Sequence, residues 1–166
     1  MGRAESVNQP RWLTSEERAT WLAVASMLEV LPGALDGQLQ RDAGLTFFEY
    51  MVLAMLSEQP DRTLRLSRLA AVTNGSLSRL SHVVSRLERE GYLRRTTSAH
   101  DRRAKDAVLT DAGWDKVVAT APGHVEHVRK LVIDPLSRAE QADLRAIGER
   151  IVRAVDPEGG RLPVGR

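Results

Sequence analysis

At Gly91 the apolar period of this chain changes. Before it, within Ser76 to Glu90, Leu77, Leu80, Val84 and Leu87 recur at the spacing that one face of an α-helix requires. After it, Tyr92 to Thr97 reads as a strand, Ser98 to Arg103 as a polar loop, and Ala104 to Thr110 as a second strand carrying Val108 and Leu109. A switch from helical to strand period across one glycine demands a helix joined directly to a β-hairpin, and Gly91 supplies the left-handed position that ends the helix. Ser76 is the expected N-cap of that helix. Ahead of it, Asn74-Gly75 is a turn signal, and Leu66, Leu69, Ala70 and Val72 form a short helix of their own.

Helix, tight turn, helix and hairpin together make a winged helix-turn-helix. The stripe from Leu77 to Leu87 is expected to enter the core. At 100° per residue, Ser78, His82, Arg86 and Arg89 fall on the opposite face, flanked by Arg79 and Ser85. An amphipathic helix of this kind would by itself suit any small α domain, but the charge distribution is uneven. Between Arg62 and Lys105 there are eleven cations and three anions, a net +8, whereas the whole chain carries +2, so the remainder sums to −6. One basic sector in a near-neutral chain is the footprint of a polyanion site.

The expected partner is double-stranded DNA. Arg79 and Arg86 are expected at base edges or adjacent phosphates, with Ser78, Ser81 and His82 as adaptable readers. Ser76 and the first N–H groups of its helix face phosphate, and Arg94 and Arg95 lie along the backbone. Arg102 and Arg103 at the hairpin tip suit a minor groove, where negative potential is concentrated. Asp101, which would be repelled by phosphate, is expected to orient an arginine through a charge-assisted bond.

The segment from Leu69 to Arg103, LAAVTNGSLSRLSHVVSRLEREGYLRR followed by HDRR and then by VLTDAG, resembles the multiple-antibiotic-resistance regulator (MarR) family of bacterial transcription factors. The residues carrying the resemblance are Leu87, Glu88 and Gly91, then Asp101 and Arg103, then Leu109, Thr110 and Gly113. In helix order it extends from about Glu16 to Val155. The resemblance implies a homodimer, usually a repressor, whose recognition helices enter successive major grooves of a near-palindromic operator. It also implies that Arg103 enters a minor groove. A small, often aromatic effector would bind in a crevice near Trp21, Phe48 and Trp114 and bias the spacing of the two reading heads. The chain departs from the family pattern at His82, where arginine is common, and at Arg79, where threonine is, so an operator sequence cannot be carried over.

The resemblance and the residue pattern divide the chain into a flexible tail (1–13), a dimerisation helix (14–44), the winged helix-turn-helix (45–110), C-terminal dimerisation helices (111–155) and a second flexible tail (156–166). Thr14 with Glu17, Thr46 with Glu49 and Ser137 with Glu140 each form a capping box at a helix start. In the first helix Pro32-Gly33 is expected to bend or break the run. Its stripe of Trp21, Leu22, Ala25, Leu28, Leu35 and Leu39 is longer than a small domain can cover alone. Trp21 and Met27, like Phe47, Phe48 and Tyr50, are expected to be core or interface residues rather than ligand contacts. Thr110 caps a long helix that Pro122-Gly123 should kink, and Asp156-Pro157 ends the last one.

Catalytic chemistry is not expected. His124 and His127 lie three apart with Glu126 between them, too few ligands for a metal site, and no phosphate-binding glycine loop or nucleophile triad is legible. The sequence therefore predicts no enzyme activity, no metal and no cofactor. With no cysteine, disulfide and thiol chemistry are excluded. No apolar run approaches the roughly 20 residues that cross a bilayer, and MGRAESVNQP lacks the apolar segment of a signal peptide, so a cytoplasmic protein without membrane contact is expected. The rival expectation is a winged-helix protein-interaction adaptor that does not bind DNA, which would show no salt-dependent DNA association.

Overall fold

A computed structural model describes residues 10–98, 101 and 103–159. Expectations for residues 1–9, for Arg102 and for residues 160–166 lie outside the described residues. The elements in order are α1 (Ser15–Ala43), α2 (Phe47–Ser57), β1 (Thr63–Arg65), α3 (Leu66–Val72), α4 (Leu77–Arg89), β2 (Leu93–Thr97), β3 (Lys105–Leu109), α5 (Asp111–Val128), a π-helical turn (Arg129–Ile133) and α6 (Arg138–Val155). This is a mainly helical fold with one small antiparallel sheet.

The chain divides into two compact units, residues 1–34 and 35–166. In the first, α1 begins at a capping box in which the Thr14 N–H donates to Glu17 Oε2 and the Glu17 N–H donates to Thr14 Oγ1. Pro32 does not break α1: proline lacks one donor, but its φ is helical, and the helix passes through it. Trp21, Leu22, Met27, Leu28 and Val30 are exposed. Trp21 and Met27, expected in a core or at an interface, are left uncovered within their own unit and so are not part of a core there.

In the second unit the core is built from Leu39, Leu45, Val52, Leu53, Leu56, Leu69, Leu80, Val84, Leu87, Leu93 and Ala107, all essentially buried. Burial of a Leu or Val side chain contributes roughly 1.5–3 kcal/mol, so this cluster is what fixes α2, α3, α4 and the sheet against one another. Phe48 and Tyr50 are buried as expected. Capping boxes open α2 at Thr46 and α6 at Ser137, and Thr110 caps α5. Like α1, α5 carries its proline, Pro122, inside a continuous helix.

The hairpin belongs to a three-stranded sheet of order β1-β3-β2. Leu93 pairs with Leu109 and Thr97 with Lys105 on one side of β3, and Thr63 pairs with Val108 on the other. β1 has no signature in the sequence. Three residues are too few to show a period, and the strand exists because β3 offers it an edge.

One member of the expected core stripe departs from it. Leu80, Val84 and Leu87 are buried, but Leu77, at the first position of α4, is exposed. The apolar layer under α4 begins one turn after the helix does.

Candidate nucleic-acid interface

The turn before α4 depends on Gly75. A Cβ there would lie 2.6 Å from Cζ of the Phe48 ring, so α3 and α4 can approach α2 only over a glycine. Asn74 beside it takes a positive φ of 50°, a conformation asparagine tolerates better than most residues. Ser76 then caps α4, its Oγ accepting from the Arg79 N–H at 3.1 Å.

Ser76, Ser78, Arg79, Ser81 and His82 are all exposed along the first turns of α4. The Arg79 guanidinium lies 4.1 Å over the Phe48 ring centroid, a cation–π contact that restrains an otherwise mobile side chain. Arg86, expected among the readers, is instead committed within the protein. Its Nη1 is 2.9 Å from Glu49 Oε1, its Nε donates to Glu90 at 3.1 Å, and its Nη2 donates to the Gly44 carbonyl at 3.3 Å. The hydrogen bond to Glu90 and the charge of Glu49 hold its pKa above the ordinary arginine value. Arg86 is a tie between α4, α2 and the turn before α2 rather than a free donor.

Arg95 is similarly engaged. Its N–H donates to Glu88 Oε1 at 2.8 Å, and its Nε and Nη2 donate to Glu88 Oε2 at 2.9 and 2.6 Å, which staples β2 to α4. The backbone N–H and then the guanidinium of Arg95 hold the Glu88 carboxyl below its usual range. Arg94, by contrast, is exposed and has no ion-pair partner among the described residues.

At the wing, Asp101 does orient an arginine. Arg65 Nη2 donates to Asp101 Oδ2 at 3.0 Å, and Asp101 Oδ1 accepts from the Arg103 N–H at 3.0 Å. The carboxylate thus closes the wing turn and ties it to β1, while the exposed Arg103 side chain has no ion-pair partner among the described residues. Arg65, Leu66, Ser67, Asp101, Arg103, Ala104 and Lys105 line an open crevice of about 240 Å³ with a cationic rim. Arg65 was missing from the expected site. Its only signal was membership of the basic sector, because the strand that carries it has no local signature.

Thr110 and Gly113 lock the base of the wing. Thr110 Oγ1 donates to the Gly91 carbonyl at 2.6 Å and accepts from the Gly113 N–H at 3.0 Å, and a Cβ on Gly113 would overlap the Tyr92 carbonyl. Gly91 itself takes a φ of 79°. Of the expected effector residues, Phe48 carries Arg79, Trp114 lies 4.3 Å beneath the Arg62 guanidinium, and Trp21 stands exposed in the first unit. Arg62 also pairs with Asp111 at 3.0 Å.

His124 packs against Tyr50 and Phe47, with ring centroids 4.7 and 5.9 Å away. Burial, then the neighbouring His127, pushes its pKa below the ordinary imidazole value. Among the described residues there is no group of three His, Cys, Asp or Glu side chains that could hold a metal, and no helix long and apolar enough to cross a membrane.

Residues 43–104 match the family model described as MarR family. The chain is 42% identical to Sco3205, a MarR family transcriptional regulator from Streptomyces coelicolor solved in complex with DNA, over 89% of this chain and 93% of that one, with a TM-score of 0.86. AbsC, a MarR family transcriptional regulator from the same organism, is 36% identical over 88% of this chain and 98% of its own, with a TM-score of 0.82. The HTH-type transcriptional regulator PecS of Dickeya dadantii (strain 3937) is 36% identical over 74 residues, 45% of this chain. The chain spans 43% and 44% of the length of the curated regulators it matches.

Proposed function

Because the chain belongs to the MarR family of transcriptional regulators, we propose that it is a homodimeric, sequence-specific DNA-binding repressor acting at a near-palindromic operator. The observation that carries this is the exposed row Ser76, Ser78, Arg79, Ser81 and His82 at the start of α4, capped, restrained and backed by the buried Leu80, Val84 and Leu87. Helix-turn-helix proteins put the N-terminal part of the second helix against base edges in the major groove. Arg94 and the rim formed by Arg65, Arg103 and Lys105 then meet the phosphates and the minor groove.

A second copy of the chain is supported by apolar residues that nothing in their own unit covers: Leu22, Leu28 and Val30 on α1, and Ile147, Ile151 and Val155 on α6. Two-fold symmetry would set the recognition helices about 10 to 10.5 base pairs apart. An aromatic effector would release the operator only by favouring one spacing of the heads over the other. One that competed with Arg79 for the Phe48 ring would act directly on a reading residue.

The test is selection of bound duplexes from a random pool at fixed salt, because it reports spacing and base preference together. A recovered motif with two related half-sites about one helical turn apart is the expected result. Recovery of unrelated sequences, or of none, would overturn the proposal.

A further inference from the structure

Leu77 is anomalous for its place in the fold. Among the described residues between Leu45 and Thr110, it is the only large apolar side chain left exposed, at 63% of its surface, while Leu80 on the following turn is at 1%. The other large apolar residues that remain exposed lie on the segment before α1 and on α1, α5, the π-helical turn and α6. Leu77 contributes nothing to the core, so packing does not explain an isobutyl group here. It occupies the first position of α4, directly after the Ser76 cap, with Ser78 beside it and Ser81 one turn along the same side. All three neighbours are exposed and polar. The one apolar side chain on this surface therefore stands where the helix would first meet base edges.

Resting on the DNA-binding reading above, we propose that Leu77 packs on the C5-methyl group of a thymine in each half-site and selects thymine there. In the major groove that methyl group is the one apolar feature a base presents, and apolar side chains recognise it by contact. A cytosine at the same position lacks the methyl and offers an amino donor that leucine cannot satisfy, so the contact discriminates by loss of apolar burial and by an unpaired donor. Ser78 and Ser81, as donors and acceptors, adapt to neighbouring base pairs, whereas Leu77 reads one group.

The probe is the duplex recovered by selection from the random pool, with each thymine of the half-sites replaced in turn by deoxyuridine, which removes only the methyl group. At one position per half-site this should weaken binding of the wild-type protein about fourfold, and about fifteenfold when both half-sites are changed, from the loss of one buried methyl each. Leu77→Ala should bind the thymine and deoxyuridine duplexes equally, and should bind the thymine duplex about as weakly as the wild type binds the deoxyuridine one. If no deoxyuridine substitution weakens the wild type, or if Leu77→Ala suffers the same loss as the wild type, the proposal is overturned while the selected motif still stands. If selection recovers no motif, the DNA-binding reading fails and this proposal with it. The wild-type scan can overturn the proposal even if the variant proves poorly folded.

Discussion

Arg86 Nη1 lies 2.9 Å from Oε1 of Glu49, a carboxylate whose side chain is only 3% exposed. The other oxygen of Glu49 accepts from the Thr46 N–H at 2.8 Å, so one buried charge holds both the N-terminus of α2 and the last turn of α4. Removing one partner of a buried pair leaves the other uncompensated.

Arg86→Ala should therefore lower stability by about 1–3 kcal/mol, the buried-pair cost discounted because the guanidinium is partly in solvent. Urea denaturation measures this. An unchanged midpoint together with lost DNA affinity would return Arg86 to the reading surface.

The staple between Glu88 and Arg95 makes the wing sensitive to acid. Since the folded carboxyl titrates below its unfolded value of 4.5, its contribution is fully present above that pH and is lost as pH falls through the lower folded pKa. Both side chains are partly exposed, so Glu88→Gln should cost no more than about 1 kcal/mol at neutral pH. The variant should also flatten the stability profile below pH 4.5, as followed by thermal denaturation across pH. A profile identical to that of the wild type would mean that the staple contributes nothing.

His124 acts in a different window. Its folded pKa is depressed, so as pH falls through the ordinary value of 6.5 the unfolded chain takes up a proton before the folded one does. Stability should be level above that pH and decline below it. His124→Phe keeps a ring against Tyr50 and Phe47 and should remove that part of the decline. Persistence of the full slope in the variant would assign it to other groups.

At the wing, Arg103→Ala should weaken operator binding by on the order of 1–3 kcal/mol and reduce the salt dependence by about one phosphate contact. Asp101→Asn should also weaken it, since the Arg65 tie and the closure of the turn both depend on the carboxylate. Titration at several salt concentrations separates the two. Full affinity in Arg103→Ala at 0.15 M salt would take the wing out of the interface.

Much of this architecture was legible because its signals are local. Caps at Thr14, Thr46, Ser76, Thr110 and Ser137 need only a side chain near its own backbone, and each is formed where the pattern put it. The end of α4 at Gly91 and the hairpin after it follow from a change of period that no other fold element would tolerate. Asp101 was recognisable as an arginine partner from its sign alone, but the pattern could not say that the arginine would be Arg65.

What the chain's local text determined, then, was helices, their ends, the hairpin and the basic sector, since these depend on spacing along the backbone and on counted charge. Only the tertiary structure decided that β1 exists, that Arg86 is spent on Glu49, that Arg79 rests on Phe48, and that Leu77 is left outside while Leu80 is buried. Each of these turns on which distant residue lies opposite, and periodicity carries no information about that. An arginine on the outer face of a helix looks the same in sequence whether the group it meets is a buried carboxylate or solvent.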